Sequence, residues 1–189
     1  MINTLDSSAR QEKIRGKGLI SRFKKDSSGS VAIEFSMLAI PFAMLVFAII
    51  EVCVSFTEQQ VMANVTDDVS RLMRTGQMKP ADATATEVRT RICNALQFMA
   101  PAGCPGLDID LKEYATYGAV PTTIPYTGTG DINTSGFTVA LGGATTINHL
   151  RVFYRWPVIT DLLSSYMSSL PGKKMLLYSS ATWRVEPYL

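Results

Sequence analysis

Histidine is nearly missing from this sequence: His149 is the one copy in 189 residues. A Ser-His-Asp triad or a Cys-His pair would have to be built around that single imidazole. Neither clustered histidines nor CxxC pairs stand at zinc-ligand spacing. His149 opens a stretch of alternating residues and reads as a core or surface side chain. Charge is short as well. Charged residues make up 18% of the chain, against roughly 25% in a typical soluble domain, while apolar residues reach an ordinary 47%. This composition excludes a disordered chain and a highly charged coiled coil, and it suggests that part of the apolar content serves a membrane. Two fragments lack what their chemistry needs. Asp131-Ile-Asn133-Thr-Ser135-Gly136 opens like a calcium loop, but Gly142 stands where a bidentate glutamate belongs. Gly128-Thr-Gly130 has no helix after it to receive a phosphate. No catalytic cluster, metal site or cofactor is expected, and the chain reads as a non-enzyme.

Lysine and arginine are absent from residues 30–56, where only Glu34 and Glu51 carry charge. Within that stretch Phe35 to Ile50 is sixteen uncharged residues, and about twenty apolar helical residues cross a bilayer. The positive charge lies upstream. Residues 1–29 hold seven Lys/Arg (Arg10, Lys13, Arg15, Lys17, Arg22, Lys24 and Lys25) against three acids. The positive-inside rule keeps such a flank in the cytoplasm and exports the chain beyond the helix. Residues 57–189 hold eleven charges of each sign, so no basic footprint for nucleic acid exists there. A removable signal peptide needs small residues after the apolar run. Ile50-Glu51-Val52-Cys53-Val54-Ser55-Phe56 is too bulky for that, and the helix is expected to stay. The expected organisation is a basic cytoplasmic leader over 1–29, a transmembrane helix over 30–56 and a periplasmic domain over 57–189.

Glu34 lies about one turn into the apolar run. A carboxylate at a membrane helix centre costs roughly 2.5–3.5 kcal/mol on insertion scales, and such a group is a functional candidate whose partner must be named. Cutting after Gly29 would give Ser30 a free α-amine, and residues four apart share a helix face. That amine could neutralise Glu34 on its own chain or on a neighbour's. The alternative is a Glu34 that simply snorkels to the cytoplasmic interface.

A basic leader ending in glycine, then a small residue, Glu at position five, Phe at six and an apolar helix resembles the processing site of type IV prepilins. Gly29-Ser-Val-Ala-Ile-Glu-Phe35, Pro41, Ile50-Glu51-Val52 and Ser70-Arg-Leu-Met-Arg-Thr-Gly-Gln77 narrow the resemblance to TadE-like pseudopilins of the tight-adherence (Tad/Flp) pilus. So do Arg151-Val-Phe-Tyr-Arg-Trp-Pro157 and Ala181-Thr-Trp-Arg-Val-Glu-Pro187. The TadE-like motif itself covers about 29–76. The resemblance implies a minor pilin-like subunit in the bacterial inner membrane, matured by a prepilin peptidase and needed for pilus assembly with other pilin and pseudopilin subunits. Gly29 is then the last leader residue, Ser30 the mature N-terminus and Glu34 the assembly glutamate. A competing reading is an uncleaved single-pass protein with a ligand-binding or sensory ectodomain, and the Gly29–Ser30 bond separates the two.

Downstream, Val61, Val65, Val69, Leu72 and Met73 keep helical spacing, so the membrane helix should run on to about Thr75 and stop at Gly76. Pro41 should kink it. Glu51 lies seventeen residues past Glu34, roughly 25 Å along a helix, and should be solvated at the outer interface. Lys79-Pro80-Ala81-Asp82 is expected to open a second helix with Val88, Ile92, Ala95 and Leu96 on one face, closed by Pro101 and Gly103. Cys93 and Cys104, eleven apart, should pair in an oxidising periplasm and tie the helix end to the next loop, leaving Cys53 unpaired in the membrane. Leu107, Ile109 and Leu111 alternate with Asp108, Asp110 and Lys112, and Leu150, Val152, Tyr154 and Trp156 alternate with Arg151, Phe153 and Arg155, which reads as two half-buried strands. Met175–Val185 gives a third, a short helix begins at Thr160-Asp161, and residues 118–136 form a loop. The expected fold is α+β, a long N-terminal helix with a second helix and an antiparallel sheet in pilin-like layout.

Overall fold

The computed structural model describes residues 28–98 and 100–187. The expected leader, with its seven basic residues, falls on residues 1–27 and so lies outside the described residues, apart from its last two positions. Helix α1 runs from Ser28 to Arg74, α2 from Ala85 to Leu96, and a short α3 from Asp161 to Met167. Strands β1 (Leu107–Tyr114), β2 (Ile147–Pro157) and β3 (Lys174–Arg184) form one antiparallel sheet in the order β1-β2-β3. The fold is α+β, with the long apolar helix first, as the sequence predicts. The chain divides into two compact units, one up to Phe47 and one over Ala48–Leu189.

In the first unit α1 is apolar on all sides from Met37 to Phe47. Val31, Phe35, Leu38, Phe42 and Phe47 are all exposed, and Pro41 stands inside the helix. A helix that is apolar all round, without protein over it, suits hydrocarbon rather than water. Among the described residues α1 is the one helix long and apolar enough to cross a membrane.

In the second unit α1 lies against the domain core. Its buried line is Glu51, Ser55, Glu58, Met62, Thr66, Val69 and Met73, a helical spacing of threes and fours. The predicted valines Val61 and Val65 only flank that line as half-buried neighbours. Gly76 ends the helix in the left-handed region (φ +71°), and the Met78 N–H reaches back to the Leu72 carbonyl at 3.0 Å.

The second helix starts later than Lys79–Asp82. Those residues form a turn, with the Asp82 and Ala83 N–H groups bonded to the Lys79 carbonyl. Thr84 is the N-cap, its hydroxyl accepting the Glu87 N–H at 3.2 Å. Val88, Ile92, Cys93 and Leu96 are buried, while Ala95 is only half-buried. Cys93 and Cys104 are joined by a disulfide, with Cα atoms 5.7 Å apart. Arg89 adds a second tie, donating to the carbonyls of Leu107 (2.6 Å) and Cys104 (3.0 Å).

One sheet face meets the helices through Leu107, Ile109, Leu111, Leu150, Val152, Tyr154, Trp156 and Leu177. The other face is also covered, which corrects the expectation of half-buried strands. Phe153 is fully buried there with Ile132 and Leu170, against Ile124, Phe137 and Tyr178. Residues of the predicted loop therefore form a lid over the second face. Its end runs beside β1: the Leu111 N–H donates to the Thr138 carbonyl (2.7 Å) and the Ala140 N–H to the Leu111 carbonyl (2.9 Å), so that edge is protected from pairing with another chain. Gln59 of α1 does the same for β3, donating to the Tyr178 carbonyl (2.8 Å) and accepting its N–H (3.2 Å).

Candidate functional site

Gly29, Ser30 and Glu34 lie in the first two turns of α1. The Ser30 hydroxyl donates to Glu34 Oε1 at 3.2 Å, and both side chains are exposed. Position 30 is thus already one turn from the carboxylate in the uncut chain, where its nitrogen is an amide. Ser36, a turn further on, turns its hydroxyl onto the Ile33 carbonyl (2.9 Å). Glu34 is the only charged residue between Ser30 and Ile50, so its carboxylate is the one fixed electrostatic feature of that stretch.

Glu51 is not solvated. It is 7% exposed, and its carboxylate accepts hydrogen bonds from the Thr160 N–H (3.2 Å), the Thr160 hydroxyl and the Ile159 N–H. These donors precede α3, whose first N–H groups lack helical partners. Burial is repaid there because a carboxylate meets several donors at once. The partner is 109 residues away in sequence, beyond the reach of any local reading.

Glu58 is a residue the sequence pattern did not single out. It is 1% exposed, and its Oε1 has no hydrogen-bond partner. Burial pushes its carboxyl from an ordinary 4.5 up to about 7, and its charge in turn helps raise Tyr154, whose hydroxyl is already shifted up by burial. Ser55 and Thr66 on the same line bond to their own helix carbonyls, Val52 and Met62, which leaves Glu58 as the line's unsatisfied member. A folded-state value above the unfolded one means that the unfolded chain ionises first as pH rises. Stability from this group is therefore full below about pH 4.5 and is lost as pH climbs to about 7. In Glu58→Gln that slope should flatten. The wild type should lose on the order of 2–3 kcal/mol relative to the variant across that window, measured by thermal unfolding of the full chain in detergent at several pH values. Parallel curves for the two proteins would show Glu58 to be hydrated in the folded state.

Other sequence candidates find structural employment. His149 is buried, its Nδ1 2.7 Å from the Thr182 hydroxyl, with Tyr114 edge-on to the ring; burial, then Arg151, holds its pKa below the ordinary value. Asp131 Oδ1 accepts from Arg155 Nε (2.9 Å) and the Ile132 N–H (2.7 Å), and Asn133 Oδ1 accepts from the Ser135 N–H and hydroxyl. The calcium-like segment is thus a self-satisfied loop. Cys53 is an exposed free thiol on α1. Among the described residues no group of three or more His, Cys, Asp or Glu side chains is placed to hold a metal ion.

No curated protein and no solved structure matches the chain. The motifs at 151–157 and 181–187 thus stand on sequence resemblance alone. Residues 29–71, from the glycine before Ser30 nearly to the end of the buried line on α1, match the family model described as TadE-like protein, so this chain carries a TadE-like segment.

Proposed function

We propose that the protein is a minor pilin-like (pseudopilin) subunit required to assemble a Tad/Flp pilus. In this reading a prepilin peptidase cuts after Gly29 on the cytoplasmic side of the inner membrane. The mature chain starts at Ser30, keeps α1 in the bilayer and holds its α+β domain in the periplasm. Its role is structural rather than catalytic. The observation that carries the reading is the Ser30–Glu34 pair, one helical turn apart at the head of an apolar helix, at the start of the TadE-like segment. An unpaired carboxylate in hydrocarbon is expensive. A free amine at Ser30 supplies the opposite charge within one turn, or from an adjacent subunit whose helix lies alongside. The disulfide Cys93–Cys104 supports an oxidising compartment for the domain.

Mass spectrometry of membrane-extracted protein tests this directly. The expected result is an N-terminus at Ser30, with or without N-methylation. Recovery of only the intact Met1 form, from cells with an active prepilin peptidase, would move the weight to an uncleaved single-pass protein with a ligand-binding or sensory ectodomain.

A further inference from the structure

Two of the polar contacts between α1 and the rest of the Ala48–Leu189 unit fix the order of its parts along the helix. Gln59 holds the Tyr178 backbone, and Glu51 holds Thr160. Residues 51 and 59 are about 12 Å apart along a helix. The connection from β2 to β3, residues 158–173, therefore hangs at the Glu51 end, beside the place where the uncharged run Phe35–Ile50 stops. That connection exposes two large side chains, Ile159 at 78% and Tyr166 at 86%. Ile49, Ile50 and Phe56 of α1 are exposed in the same unit, and the exposed Lys174 stands at the start of β3.

We infer that the β2–β3 connection is a second membrane contact: it rests on the bilayer surface from which α1 emerges, with Ile159 and Tyr166 inserted among lipid headgroups and upper acyl chains. The inference rests on the reading of α1 as a membrane helix. Continuity argues for lipid as the occupant, since Ile49 and Ile50 end a run that already requires hydrocarbon around it, and Glu51 binds the connection to the very next position. Chemistry argues the same way. An exposed tyrosine, with its apolar ring and wet hydroxyl, and an exposed isoleucine on one short connection suit a membrane–water interface. Glu51 at the head of the connection is taken up by the Ile159 and Thr160 donors, so its own charge does not oppose this placement. The contact would hold the start of β3 at a fixed height over the membrane.

Nitroxide accessibility in vesicles of phosphatidylethanolamine and phosphatidylglycerol tests the inference on the full chain. In a Cys53→Ser background, with Cys93 and Cys104 left bonded, single labels are placed through Ile159→Cys, Tyr166→Cys, Leu45→Cys and Phe98→Cys. All four side chains are exposed, so labelling leaves the core intact. Labels at 159, 166 and 45 should collide severalfold more with oxygen, relative to an aqueous nickel chelate, than the label at 98. Labels at 159 and 166 that behave like 98 while 45 stays in lipid would overturn the second contact and leave the membrane helix standing. An aqueous label at 45 would overturn both. Labels at 159 and 166 that are shielded from both reagents, with dipolar broadening that grows with protein density, would mean that a second copy of the chain covers the patch, and would overturn lipid as the occupant.

Discussion

A Glu34→Gln variant is expected to be inserted and cleaved like the wild type and yet to leave cells without pili. The substitution keeps the side chain's size and removes its charge, so the cost of placing residue 34 in the bilayer falls by up to roughly 2.5–3.5 kcal/mol and the helix still spans. The neutral amide still accepts the Ser30 hydroxyl bond seen at 3.2 Å, so the first turns of α1 stay as they are. What disappears is the charge that would attract the amine of Ser30 on a neighbouring subunit. In hydrocarbon that attraction is hardly screened, and losing it removes both the energy and the register of the contact. Gly29→Leu should give the opposite pattern, with Glu34 present and the leader retained. Immunoblotting for the mature form and electron microscopy of the cell surface separate the two. A Glu34→Gln strain with normal pili would reduce Glu34 to an interfacial carboxylate.

The same chemistry explains which parts of the molecule could be read from its residues. Local periodicity and local backbone signals were legible. Gly76 ends α1 where a left-handed residue is needed, and the alternations 107–111 and 150–156 lie in β1 and β2. The start of α2 was also written locally, as Thr84-Ala85-Thr86-Glu87, but Pro80 four residues earlier offers a rival start that the turn at Lys79 absorbs. Long-range partners were not legible. The lid over the second sheet face is built from Ile124, Ile132 and Phe137, isolated apolar residues in a Gly-, Thr- and Pro-rich stretch. Nothing in their own neighbourhood says that they meet Phe153. Polar residues on a buried line were equally hidden. A count of apolar residues on α1 selects Val61 and Val65, whereas the line facing the core passes through Glu51, Ser55 and Glu58. The Ser30–Glu34 contact was legible because its two residues lie one helical turn apart.

Removing one carboxylate under that lid should be among the most costly single changes in the domain. Asp110 and Arg151 have side chains only 2% and 8% exposed. Arg151 Nη2 and Nε donate to Asp110 Oδ2 at 2.6 and 3.2 Å, while Asp110 Oδ1 accepts the Thr138 N–H (3.1 Å) and faces the Lys112 ammonium at 3.3 Å. The Arg151 guanidinium carbon also lies 5.6 and 5.7 Å from the ring centres of Phe137 and Phe153. In Asp110→Ala that cation keeps its buried position and loses the Asp110 carboxylate, and the Thr138 N–H loses its acceptor. Breaking a buried pair from one side costs roughly 3–5 kcal/mol, a large part of the 5–15 kcal/mol that holds a domain together. Arg151→Met should be milder, because Asp110 retains Lys112 and Thr138. Asp110→Leu with Arg151→Met should regain much of the loss, since an apolar pair of similar volume needs no desolvated charge. Thermal unfolding of the full chain in detergent, followed by the near-ultraviolet signal of the buried Trp156 and Trp183, reads all three. A cost below about 1 kcal/mol for Asp110→Ala is the range of an exposed ion pair. It would mean that water reaches the pair and that residues 123–138 do not close over the sheet.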